Sequence, residues 1–443
     1  MKYDSVPTES PVERVLICGV LLGDQQTEHD GELSELKGLV EAAGGVAIGP
    51  RMIQRRDRPH AATMFGSGKV AEIHEEVEAL KPDVVAVDND LSPAQGRNLE
   101  KVLGCRVIDR SELILDIFVS RARTRQAQLQ VELAQNEYLA PRLRRMWTHL
   151  ERTEGAIGAR GPGETQLETD RRLLRKRITD LKRELAEIER RKQREVLSRA
   201  DRFTIGLVGY TNAGKSTLMN QLTGAGVLAA DMLFATQDTR TRQWTLSDGR
   251  TVLLSDTVGF LGRLPHHLVA SFHATLEETL YADLLLHVVD ASHPDAAEQM
   301  AAVDDVLEGL SHSTRSGILV LNKVDRVQDP IELQYLAQGR SERIVNVSAK
   351  TGEGVDRLDS MIRHLLDARS SLLRIRLPLA DGRLAAQVRR LGLVLEEEVL
   401  GDTELEFRVR MDEGALGNLK READGGLVYE VLESAREPFF EES

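Results

Sequence analysis

Four short clusters in the middle of the chain bring together residue types suited to holding a phosphorylated ligand. In the first, Gly209, Gly214, Lys215 and Ser216 satisfy G-x-x-x-x-G-K-[ST]. Glycines at that spacing let successive backbone N–H groups turn inward on an anion, and a helix starting just after them adds its partial positive charge. An ammonium at Lys215 reaches terminal phosphates, and a hydroxyl at Ser216 suits Mg²⁺. The stretch Gly209, Tyr210, Thr211, Asn212, Ala213, Gly214, Lys215, Ser216 and Thr217 is therefore the candidate phosphate cradle. The second cluster, Asp256-Thr257-Val258-Gly259, ends a strand-like run. There a carboxylate can hold Mg²⁺ through water, and the Gly259 N–H can meet a γ-phosphate and move when it leaves. The third is Asn322-Lys323-Val324-Asp325. A carboxylate at Asp325 can accept hydrogen bonds from the N1–H and exocyclic amine of guanine, donors that adenine does not offer, and a buried acceptor left unpaired discriminates strongly. The fourth, Ser348-Ala349-Lys350, offers a backbone N–H to guanine O6. Any one tetrapeptide is a weak signal; four in this order, each behind a strand-like run, imply a guanine nucleotide with Mg²⁺ at Ser216 and Asp256.

These side chains need a framework. Phe203–Val208 reads as the strand entering the cradle, and the pattern after Ser216 continues as a helix. Thr241–Ser247 and Thr251–Asp256 flank Asp248-Gly249, a pair favoured in two-residue hairpin turns. Ile318–Leu321 and Val345–Val347 deliver the third and fourth clusters. Upstream, RVLICGVLL, GVAIGP, DVVAVDN and CRVID alternate with helical patterns, as in a small α/β domain with a mostly parallel sheet. Within it, Gly66-Ser67-Gly68-Lys69 resembles half a phosphate loop, but Val70 stands where Ser or Thr would bind Mg²⁺; a turn opening a helix is the preferred reading, a second nucleotide site the alternative. After Asp367, strands at 372–378, 393–400 and 404–410 with helices at 381–391 and 412–421 suggest a small α+β domain. The expected class is α/β, a P-loop GTPase domain preceded by a small α/β domain and an antiparallel helical hairpin. The expected boundaries are 1–120, 121–200, 201–369 and 370–443.

Composition narrows the rest. With 443 residues, 41% hydrophobic and 29% charged, the chain is globular in character and long enough for about three domains. Cys18 and Cys105 fall in strand-like runs without metal-ligand spacing, consistent with buried thiols in a reducing cytoplasm. No leader peptide and no apolar run near membrane-spanning length is evident. The formal net charge is −13, yet residues 121–200 hold 20 Lys and Arg against 12 Asp and Glu, a local surplus of eight positive charges. Leu129, Asn136, Leu143 and Leu150 repeat every seven residues, with Leu133, Ala140 and Trp147 between them; the pattern resumes at Leu167, Leu174, Leu181 and Ile188. Two such segments joined by Gly155–Gly163 suggest the hairpin, with Thr165 and Glu168 as a capping box for its second helix. The basic surplus and a glycine-rich tip point to RNA phosphate contact by Arg160, Gly161, Gly163, Arg171, Arg172 and Arg175. Pairing of the heptads within one chain favours a monomer.

The four clusters resemble the G1, G3, G4 and G5 elements of translation-factor-related GTPases. More narrowly, GARGPGETQLETDRR, LFAT with an aspartate two residues on, and DTVGFLGRLPHHLVASF are similar to the HflX family. The resemblance covers roughly residues 12–370. It implies a ribosome-associated GTPase that binds the large subunit, its ribosomal RNA included, and dissociates or rescues stalled ribosomes, using GTP and Mg²⁺ with turnover stimulated by the ribosome. It also implies Thr236 as an Mg²⁺ ligand in the GTP state, although FATQDTRTR at 234–242 departs from the commoner FATLDPTTR. An asparagine at position 212 is associated in such GTPases with K⁺ near the phosphates; a purely loop-shaping role is the alternative.

One position bears on rate. Many GTPases place a glutamine directly after the glycine of the second cluster to orient the attacking water. Here that residue is Phe260, which cannot, so hydrolysis is expected to be slow until a partner completes the site. His266, His267 and His273 lie just beyond, but nothing in the sequence singles one out, and no general base is assigned. Two competing readings keep the nucleotide site: a GTPase of subunit assembly, and a GTP-switched coiled-coil scaffold without RNA affinity.

Overall fold

The computed structural model describes residues 12–22, 33–143, 162–198, 203–224, 240–256, 259–260, 282–310, 317–340, 343–423 and 427–435. The chain divides into two compact units. The first holds the N-terminal sheet and the helices that follow it; the second holds two further sheets.

In the first unit, β1 (Arg14–Leu22), β2 (Val46–Arg56), β3 (Val84–Val87) and β4 (Arg106–Asp109) form a parallel sheet in the order β2-β1-β3-β4. The strands alternate with α1 (Ser34–Ala42), α2 (Ser67–Leu80), α3 (Pro93–Leu103) and α4 (Arg110–Arg121). Leu16, Cys18 and Val20 of β1 alternate into a core with Val70, Ile73 and Val77 of α2 and Leu99 and Leu103 of α3. Burial there raises the Cys18 thiol well above its ordinary pKa. The run GVAIGP is longer than its sequence suggests, because β2 continues through Pro50 to Arg56. As an edge strand it loses no ladder bond to the missing N–H, and a register shift between Leu16 and Cys18 absorbs the irregularity. Ser92 opens α3 with a reciprocal capping box to Gln95.

Helix α5 (Arg125–Leu139) is tied to this sheet by a buried network. The Tyr138 hydroxyl donates to Asp109 Oδ1 at 3.0 Å, while Arg142 stacks 3.4 Å over the Tyr138 ring and donates to Asp109 Oδ2 at 2.8 Å. Leu129 and Leu133 pack against Leu181 with Ile178, Leu185 and Ile188 of α6 (Pro162–Ser198), so these heptad positions do meet. Ion pairs Arg125–Glu184 and Arg177–Glu132 follow an antiparallel register, whereas Lys182–Glu137 crosses it. One expectation is corrected: α6 starts at Pro162, so Gly163 and Thr165 lie inside the helix and Thr165 is not its cap. Proline's fixed φ suits a first helical turn, where its missing N–H has no partner to lose. Arg160 and Gly161 lie outside the described residues.

The second unit contains a six-stranded sheet in the order β10-β9-β8-β5-β7-β6. Its strands are β5 (Thr204–Val208), β6 (Arg240–Thr245), β7 (Thr251–Asp256), β8 (Leu284–Asp290), β9 (Gly317–Asn322) and β10 (Arg343–Asn346). All neighbours are parallel except β6 and β7. Ile205, Leu207, Leu254, Leu286 and Val320 pack on α7 (Lys215–Thr223) and α10 (Val355–Arg369), and Val289, Leu319 and Leu321 form a second core with Met300 of α8 (Ala296–Leu310) and Leu336 of α9 (Pro330–Ala337). The β6–β7 turn is longer than the two residues expected: Leu246 N–H donates to the Arg250 carbonyl around Ser247-Asp248-Gly249, with Gly249 at φ +86°.

The last sheet is antiparallel, β12-β13-β11-β14, from β11 (Ser371–Pro378), β12 (Leu393–Leu400), β13 (Glu404–Met411) and β14 (Val428–Glu433). One face packs under α11 (Gly382–Leu391) and α12 (Glu413–Glu422) through Ile375, Phe407, Val388 and Leu419. Strand β14 was not anticipated from the sequence. Among the described residues, no helix is long and apolar enough to cross a membrane.

Candidate nucleotide-binding site

The site lies at the C-terminal ends of β5, β7, β8 and β9, where a doubly wound sheet leaves its helix N-termini exposed. After β5 the chain takes three left-handed or unusual turns, at Gly209 (φ +149°), Asn212 (φ +60°) and Gly214 (φ +92°). A Cβ at Gly209 would collide with the Val288 carbonyl oxygen, and one at Gly214 would strike the Asn322 side-chain amide. Both positions therefore need glycine for space as well as for torsion. Asn212 is exposed and in a left-handed conformation that asparagine tolerates.

Lys215 is 6% exposed at the first position of α7. Its ammonium donates to the carbonyls of Gly209 (2.9 Å) and Tyr210 (2.8 Å). Burial lowers its pKa to about 8, opposed by the negative charge of Asp256. Thr211 is buried in the same loop, its hydroxyl without a hydrogen-bond partner among the described residues. Ser216 donates its hydroxyl to Asp256 Oδ2 at 2.8 Å, and Asp256 is 1% exposed at the end of β7. A hydroxyl and a carboxylate this close form a hard-oxygen pair of the kind Mg²⁺ takes alongside phosphate oxygens and water. The fit to Mg²⁺ is therefore good. Gly259 and Phe260 are both buried. Thr236, Thr257, Val258 and the three histidines beyond Phe260 lie outside the described residues.

The base-side residues are held by one another. Asn322, 1% exposed, donates its amide N–H to the Ala213 carbonyl at 2.8 Å and accepts from the Ala349 N–H at 2.9 Å. It ties the phosphate loop to the Ser348–Lys350 loop, a bridging role its place in the motif does not reveal. Of the backbone N–H groups in Ser348–Lys350, any of which could meet guanine O6, that of Ala349 is thus engaged by Asn322. Ser348 is fully buried and donates its hydroxyl to Asp325 Oδ1 at 2.6 Å, fixing the carboxylate's plane. Lys323, at φ +62°, pairs through its ammonium with Asp290 Oδ2 at 2.6 Å. Asp290 was missed in the sequence, although a strand-ending aspartate, as at Asp256, is the signal that marks it. The structure thus brings Gly209–Thr217, Asp256, Asn322–Asp325 and Ser348–Lys350 to one end of one sheet.

In the first unit, Arg172 and Arg175 are exposed on α6 and Arg171 is half-buried.

Comparison with known proteins gives three family matches: residues 30–119 with "GTP-binding GTPase N-terminal", 121–199 with "GTP-binding GTPase Middle Region" and 204–323 with "50S ribosome-binding GTPase". Among similar proteins, a relative from Escherichia coli K12 described as GTPase HflX is 46% identical over 382 residues, 86% of this chain and 89% of the relative. One with the same description from Magnetococcus marinus is 47% identical, covering 82% of this chain and 84% of the relative. Among solved structures, a GTP-binding protein from Sulfolobus solfataricus in complex with GDP aligns at 22% identity with a TM-score of 0.42, over 80% of this chain and 98% of that one.

Proposed function

Because the chain belongs to the HflX family of GTPases, we propose that it acts in the cytoplasm as a nucleotide-gated factor on the large ribosomal subunit, dissociating or rescuing stalled ribosomes. The observation that carries this reading is one stretch of chain. Residues 204–323 match the family described as 50S ribosome-binding GTPases, and the same residues fold into the end of the sheet that holds Lys215, Asp256 and Asn322.

Each group has a role set by its chemistry. The N–H groups around Gly209–Thr217 and the α7 N-terminus hold the β-phosphate. The Lys215 ammonium, now satisfied by two carbonyls, spans the β- and γ-phosphates. Ser216 and Asp256 hold Mg²⁺, which when bound neutralises charge on the phosphate oxygens. Asp325, its plane fixed by Ser348, accepts the two guanine donors. Since Phe260 offers no hydrogen bond to water, the ribosome supplies what hydrolysis lacks, and the γ-phosphate serves first as a signal that the factor is engaged. The exposed arginines of α6, with Arg160, Gly161 and Gly163 near its start, contact ribosomal RNA phosphates.

Sedimentation with purified large subunits tests this. Protein with a non-hydrolysable GTP analogue should pellet with the subunits, protein with GDP should not, and subunits should speed GTP hydrolysis at least about tenfold. Equal pelleting in both nucleotide states, or none in either, contradicts the proposal.

A further inference from the structure

The structure assigns Asp290, supported by Ser292, as the residue that positions Lys323 against the bound nucleotide. Lys323 is one of few non-glycine residues with a positive φ among those described, at +62°, in a region that costs energy unless its surroundings impose it. Those surroundings are identifiable. Asp290 is the last residue of β8 and stands directly opposite Asn322 in the parallel ladder, so the register sets it one residue from Lys323. The Ala291 N–H donates to the Asn322 carbonyl and closes the two strand ends together. The Asp290 carboxylate is divided: Oδ2 takes the Lys323 ammonium at 2.6 Å, while Oδ1 accepts from the Ser292 N–H at 3.1 Å and hydroxyl at 2.6 Å. Lys323 and Asp290 side chains are only 15% and 11% exposed.

The consequence for the ligand is geometric. A Cβ on Gly214 would lie 3.9 Å from Lys323 Cε, so the aliphatic stem borders the phosphate loop. With the ammonium anchored on Asp290, the four-carbon stem is held beside that loop, where it offers an apolar wall to the base and sugar. Freed of Asp290, the ammonium would turn toward solvent or phosphate and the wall would open. This rests on the guanine-nucleotide reading above and adds to it a determinant of how long the nucleotide stays, separate from Asp325, which chooses the base.

Dissociation of a fluorescent N-methylanthraniloyl GDP from the full-length protein measures the effect. Asp290→Asn should speed release roughly tenfold or more, the range for losing a charge-assisted hydrogen bond. Its preference for guanine over xanthine nucleotides should stay that of wild type. Lys323→Met, which keeps the stem and removes the charge, should also speed release, and the Asp290→Asn/Lys323→Met double variant should be no faster than Lys323→Met alone. A merely structural role for Asp290 predicts additive effects instead, and additivity overturns the assignment, as does an unchanged release rate in Asp290→Asn. Ser292→Ala, a smaller change to the same carboxylate, should speed release by a lesser factor and keeps the assignment testable if Asp290→Asn folds poorly; no effect there, with Asp290→Asn unfolded, also overturns it. Wild-type protein that fails to retain the labelled GDP would instead overturn the guanine reading, and this assignment with it.

Discussion

Two lysines in this chain follow a glycine at the start of a helix, and they behave differently. Lys215 is buried with its ammonium turned back onto the Gly209 and Tyr210 carbonyls, behind a loop with positive φ at Gly209, Asn212 and Gly214. Lys69 follows Gly66-Ser67-Gly68, where neither glycine takes a positive φ, and its ammonium pairs at 2.7 Å with Glu72 on its own helix. Gly66 is extended and its N–H donates to Gln54 Oε1. The difference teaches that a phosphate cradle is made by left-handed turns that aim consecutive N–H groups at one point and by burial that holds the lysine's ammonium against the loop itself. The letters G-K supply neither. At residues 66–69 the geometry is that of a turn opening a helix.

The comparison can be broken at several points. The largest effect is expected at Gly209, where alanine would collide with the Val288 backbone; Gly209→Ala should remove measurable GTP binding in a titration, and retained affinity would show that the loop can relocate. Next, Asp325→Asn should weaken GTP binding on the order of tenfold or more, because an acceptor of two guanine donors is lost. It should also favour xanthosine triphosphate, whose 2-oxo group can accept from the new amide; competition between the two nucleotides reads this directly, and an unaltered ranking would remove Asp325 from base recognition.

A third effect is graded by pH. The Lys215 pKa is lowered from 10.5 to about 8 by burial, and bound phosphate favours the charged amine. Below pH 8 the amine is already protonated and contributes no pH dependence. Above pH 8 binding must take up a proton, so GTP affinity should fall by up to about tenfold per pH unit. Calorimetry in buffers of different ionisation heat would detect the proton uptake, and a flat profile from pH 7.5 to 9.5 would contradict it. The smallest effect is expected at Gly68→Ala. Nothing lies within 4 Å of a Cβ there, and alanine in a helix is favoured over glycine by up to about 1 kcal/mol, so thermal stability should hold or rise and nucleotide binding should not change.

What the sequence made legible, and what it did not, follows from range. The phosphate loop could be read because its chemistry demands neighbours in sequence: a strand, two glycines, a lysine and a hydroxyl. The base-side motif was legible as a set of letters, but the direction in which Asn322 points was not. Its amide is used because the β5–β8, β8–β9 and β9–β10 registers bring Ala213 and Ala349 within its reach, residues over a hundred and under thirty positions away. Asp290 escaped for the same reason, since its partner arrives from the next strand. Strand β2 runs past Pro50, which a proline allows only on an edge, and only the sheet order shows that it lies on one. Helix α6 begins earlier than the glycine-rich run suggests, because Pro162 can open a helix even amid glycines that favour a loop.

The central claim is that one loop in this chain, and not its near-copy, holds a guanine nucleotide. Calorimetric titration with GTP and Mg²⁺ of the wild type, Lys215→Ala and Lys69→Ala tests it. The account predicts one site per chain in the wild type, a loss of at least about a hundredfold in affinity for Lys215→Ala, as expected when charge-assisted bonds to phosphate are removed, and a wild-type isotherm for Lys69→Ala. Loss of binding in Lys69→Ala, or its survival in Lys215→Ala, would contradict it.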